Sequence, residues 1–150
     1  MSFQEAFERA DLDPRLKWLN PPSSWSVEAV ESVLVVEPSG GSDFWQRTHY
    51  GFRADSGSFL HVSLGYDFRM STRVHLYPRH QYDQAGLMVR VSADYLVYWR
   101  EPEQRWRKLR LCHLHEGEGK VPVLAGLYAC CPKKPGFVAK FEHLTIDPAV

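Results

Sequence analysis

Residues 67–77 read DFRMSTRVHLY. Successive side chains of an extended chain point to opposite faces. Phe68, Met70, Val74 and Leu76 therefore share one face, and Asp67, Arg69, Ser71, Arg73 and His75 share the other. A segment with one apolar and one charged face is a strand of an antiparallel sheet that covers a core and meets water. The period of two recurs in SVLVVE (32–37), GSFLHVSL (57–64), GLMVRV (86–91), YLVYW (95–99), WRKLRL (106–111), VLAGLYA (123–129) and GFVAKFEHLTI (136–146). Gly, Pro and Asp separate many of these runs, and no long helical period follows residue 10. The pattern predicts an all-β sandwich or jelly roll.

One helix is expected, over residues 2–10 (SFQEAFERA), because Phe3 and Phe7 are four apart and would share a helical face. Asp13-Pro14 ends it, and LNPPSSW leads into the first strand. At 150 residues the chain fits a single domain over 1–150, with 1–20 as helix and lead-in. Lys plus Arg (18) equals Asp plus Glu (18), so no net field recruits nucleic acid or an anionic membrane. No apolar run reaches the roughly 20 residues of a membrane span. The N-terminus lacks the apolar core of a secretory signal. Three cysteines, two of them adjacent, make no disulfide framework. A reducing cytoplasmic location follows as the expectation.

Several segments taken together are similar to one family: WLNPPSSW (18–25), SDFWQRTHYGF (42–52), YDQAGLMVRV (82–91), RWRKLRLCHL (105–114), AGLYACCP (125–132) and GFVAKFEHLTI (136–146). The chain resembles the concanavalin-A-like jelly-roll family of unknown function, the regulation-of-enolase protein family. The resemblance covers nearly all of the chain after the N-terminal segment. It implies a two-sheet antiparallel sandwich and no established catalytic activity. The sequence departs from the family where VSAD (91–94) passes directly into YLVYWREPEQRWRKL (95–109); a middle block of strands is missing there. Removing central strands leaves ladder groups to be satisfied elsewhere. The expected outcome is a compact, re-paired sandwich, with a homodimer as one way to cover an open face.

Candidate binding residues come from two stretches. In YDQAGLMVRV, Tyr82, Gln84, Met88 and Arg90 share one strand face, while Ala85, Leu87, Val89 and Val91 form an apolar stripe on the other. Sugar recognition wants planar amides, charged hydrogen-bonding groups and an aromatic platform, which Tyr82, Gln84 and Arg90 supply. The same residues also serve as turn and edge polar groups. In SDFWQRTHYGF, Asp43, Trp45 and Arg47 alternate on one side; they make either a polar-aromatic rim or a core anchor with a surface ion pair. Tyr128 joins the ligand set as a further stacking residue.

Other chemistries find less support. Cys112, His113, His115, Cys130 and Cys131 lack the spacing of a zinc site, so no metal and no cofactor is expected. Glycoside hydrolysis needs two carboxylates at a defined separation; Glu116/Glu118 and Glu101/Glu103 lie in turn-like sequence and make no convincing pair. RWRKLR (105–110) reads as a solvated strand face rather than a nucleic-acid stripe. The sequence thus predicts a non-enzymatic domain that binds carbohydrate. The alternatives are a cytosolic interaction module acting on a metabolic enzyme such as enolase and, behind both, a glycoside hydrolase.

Overall fold

The computed structural model describes residues 2–46, 53–91, 96–99 and 122–149. Every regular element among them is a strand, and every pairing between strands is antiparallel.

The front sheet has five strands: β2 (Lys17–Leu19), β7 (Ser58–Leu64), β10 (Gln84–Arg90), β11 (Leu96–Trp99) and β12 (Val123–Cys130), in the order β11-β10-β12-β7-β2. The back layer holds β3 (Ser24–Glu28), β4 (Val33–Glu37), β9 (Val74–Tyr77) and β13 (Val138–Phe141), in the order β3-β4-β13-β9. A further three strands, β1 (Phe3–Glu5), β14 (Leu144–Pro148) and β8 (Phe68–Ser71), run in the order β1-β14-β8. These two back sheets are continuous through their chains. β8 leads into β9 across Thr72-Arg73, β13 leads into β14 across Glu142-His143, and the Glu142 N–H donates to the Arg73 carbonyl at 3.0 Å across the crease.

The 67–77 alternation appears as read. Phe68, Met70, Val74 and Leu76 pack against the main core, while Arg69, Ser71, Arg73 and His75 are exposed. That core lies between the layers. It takes Leu60, Val62, Ala125 and Leu127 from the front and Val36, Phe141 and Ile146 from the back. The stripe of Ala85, Leu87 and Val89 belongs to it.

The expected N-terminal helix is absent. Phe3–Glu5 is instead an edge strand paired with Leu144–Ile146. Phe3 and Phe7 are both buried, 4% and 0% exposed, but by a different geometry. Phe7 adopts φ 54°, the left-handed region that ends an extended run. The Glu5 carboxylate then accepts from the N–H groups of Phe7 (2.9 Å) and Asp13 (2.8 Å). The free edge of β14 offers a ladder of hydrogen bonds, which outweighs the weak preference of so short a segment for helix.

Among the described residues, no helix is long and apolar enough to cross a membrane.

Candidate functional site

The outward face of the front sheet carries a second, smaller cluster: Phe59, Met88, Tyr128 and Cys130, with Leu19 and Leu124 at its margin. A hairpin of β5 (Phe44–Gln46) and β6 (Arg53–Asp55) lies on it. Phe44 is 2% exposed and meets Tyr128 edge-on, with ring centroids 6.3 Å apart. Burying such a side chain stabilises by about 1.5–3 kcal/mol.

The hairpin is anchored by polar contacts from the margin at β2 and from the inner strand β10. Asn20, at φ 50° beyond the end of β2, donates its amide to the carbonyls of Asp55 and Gly57, each at 3.0 Å. The Asp43 carbonyl accepts from the N–H groups of Ser56 and Gly57. Arg90 donates from both terminal nitrogens to the two Asp55 oxygens, one of these bonds measuring 2.9 Å. The Arg90 guanidinium also sits 5.9 Å from the Phe44 ring centre. Gly57 makes the packing possible: a Cβ there would stand 2.3 Å from the Phe44 ring.

The structure brings Gln84, Arg90 and Tyr128 together on this face and buries all three. The Tyr128 hydroxyl donates to Gln84 Oε1 at 3.1 Å, and Gln84 Nε2 donates to the Tyr82 carbonyl at 3.2 Å. Asp43 reaches the same cluster, with Cys130 Sγ at 3.9 Å and the Phe44 N–H at 2.8 Å from its Oδ1. Burial pushes its carboxyl above the ordinary range, against the Phe44 and Cys130 hydrogen bonds. Tyr82 stands apart. It is 50% exposed, at φ 72°, with Lys133 Nζ 5.7 Å from its ring centre. Trp45 lies on β5, and its side chain is outside the described residues, as is Arg47.

Three residues of this site have no signal in the linear sequence: Asn20, Asp55 and His61. His61 follows Phe59 on the same face, with ring centroids 5.1 Å apart. Desolvation, then the nearby Arg90 charge, hold its imidazole below the usual range. Its Nδ1 is buried without a hydrogen-bond partner among the described residues. A buried arginine alternating with apolar residues does imply a carboxylate somewhere, but not which one.

No group of three His, Cys, Asp or Glu is gathered for a metal among the described residues. Cys112, His113, His115 and the paired glutamates at 101, 103, 116 and 118 fall outside them.

The family described as Protein of unknown function (DUF1349) matches residues 18–97 and 90–149. The two matched pieces meet at 90–97, where the missing block was read from the sequence. A curated protein of Saccharomyces cerevisiae named "Regulation of enolase protein 1" is 46% identical over 75 residues; these make up 50% of this chain and 37% of that protein. The crystal structure of a functionally unknown protein from Saccharomyces cerevisiae superposes with a TM-score of 0.72 at 23% identity, covering 91% of this chain and 97% of the other. That likeness concerns the fold.

Proposed function

This chain belongs to the DUF1349 family of unknown function, and from that premise we propose that it is a non-enzymatic, cytosolic interaction domain that binds a metabolic enzyme such as enolase and modulates its turnover. The observation that carries the reading is the closed front face. Gln84, Tyr128 and Arg90 direct their polar groups to each other, to the Tyr82 carbonyl and to Asp55 under the hairpin, where a sugar cleft would direct them to ligand. The name of the yeast relative supports the choice of target, and the alignment spans 37% of that protein. Cys130 and Cys131 are buried thiols outside any disulfide, which suits a reducing compartment.

The test is enolase turnover with and without the purified chain, together with light scattering on the mixture. A stoichiometric complex and a changed rate support the reading; unchanged turnover and no complex remove it. The same scattering run on the chain alone decides between monomer and homodimer.

Carbohydrate binding at Tyr82 is a second reading. A bulky residue at positive φ is strained, and strain of this kind concentrates at functional positions. Tyr82 holds a half-exposed ring there, next to Gln84. Glycan-array binding that disappears with Tyr82→Ala would favour it over the enzyme contact.

A further inference from the structure

Two loops meet at one end of the back layer. One follows β9 (Pro78–Asp83) and the other follows β12 (Cys131–Phe137). Between them lies a depression of about 430 Å³ lined by Tyr77, Arg79, Gly136, Val138 and Lys140. Lys133 rests over the Tyr82 ring and so ties the rim of one loop to the other. Gly136 adopts φ 111°, and a Cβ there would already touch Arg79 Cδ at 3.5 Å.

The exposed charged side chains of these two loops are all positive. Arg79, Lys133 and Lys134 are exposed, and none has a carboxylate within ion-pairing distance among the described residues. The nearby Asp83 directs one oxygen to the backbone N–H groups of Arg79 and His80, each at 2.8 Å. Lys140 faces Glu28 and Glu31 at 3.8 and 3.5 Å, and so closes the far side. Since the whole chain has no net charge, the corner is a local field rather than a sample of the average.

We propose that this corner docks an acidic, extended segment of a partner protein, with carboxylates on Arg79, Lys133 and Lys134 and an apolar or aromatic side chain laid over the neighbouring Tyr77 and Val138. The cations are spread along two loops, which suits a run of acids better than a single anion. Among the described residues β9 is also a terminal strand of its sheet, so an extended segment can run alongside its edge. The proposal rests on the interaction reading above and names the surface and the chemistry of the partner.

The experiment is fluorescence anisotropy of a labelled Glu-rich peptide carrying one aromatic residue, against the folded chain. Binding should weaken with added salt. Arg79→Glu and Lys134→Glu should each weaken it about tenfold or more, while Lys17→Glu, on β2, leaves it unchanged. Both test positions are exposed, so thermal melts should match the parent. Equal binding of a Lys-rich peptide, or indifference to both reversals, would overturn the proposal. So would full competition by inorganic phosphate, by a sulfated glycan or by anionic vesicles. Peptide binding without any effect on the target enzyme's turnover would keep this site and remove the regulatory reading. An effect on turnover that survives both reversals would do the opposite.

Discussion

Arg90 on β10 and Asp55 on β6 lie 35 residues apart in the chain and meet as a two-pronged ion pair, their side chains 8% and 32% exposed. The burial is unequal, so the two ends of the pair respond differently to removal. Asp55→Asn leaves a buried guanidinium without its counter-charge and should cost about 3 kcal/mol. Arg90→Met leaves a carboxylate that water can reach and should cost about 1 kcal/mol. Urea denaturation of both variants and of the double variant measures the difference. Equal losses would contradict the unequal response, and losses that simply add would contradict the pairing.

Two glycines should fail in different ways. A Cβ at Gly126 would lie 2.0 Å from the Leu60 carbonyl oxygen on the neighbouring strand, and a backbone atom in a central ladder cannot step aside. Gly126→Ala should therefore prevent folding. At Gly57 the obstacle is the Phe44 ring, a side chain that can rotate away at a cost of about 1–3 kcal/mol. Gly57→Ala should fold with lower stability, and Phe44→Leu should restore part of it. Circular dichroism melts separate the two cases.

Tyr128→Phe removes the hydrogen bond to Gln84 while keeping the ring against Phe44. A loss of about 1 kcal/mol is expected from chemical denaturation, with enzyme modulation intact. A loss of modulation at unchanged stability would make Tyr128 a contact residue instead.

His61 sets a pH response. Its folded value lies below the ordinary 6.5 through desolvation and then the Arg90 charge. The unfolded chain therefore takes up the proton first as pH falls. The stability linked to His61 is fully present above 6.5 and declines as pH drops below it toward the folded value. His61→Phe should flatten the stability curve below pH 6.5. A slope identical to the parent's would assign the effect to another group.

Much of the sandwich was legible because burial on one face writes itself into alternate residues, as in Phe68 to Leu76 and Ala85 to Val89. Two things were not. Phe3 and Phe7 carry a helical spacing, yet one left-handed residue buries both from an edge strand. No periodicity encodes a free neighbouring edge. The outward face of β10 also looked like a ligand surface, since Gln84 and Arg90 are polar. The strands that cover them, β5 and β6, arrive from elsewhere in the chain through Phe44 and Asp55, and such contacts leave no mark in the local pattern.

The seven-residue register of β10 against β12, from Gln84↔Cys130 to Arg90↔Leu124, closes the middle of the front sheet with residues that are themselves far apart in the chain. The register is set by the two strands themselves, and Gly126 within β12 lets β7 approach from the other side. A one-residue insertion within either strand would therefore move every facing pair beyond it and turn the core stripe of β10 outward.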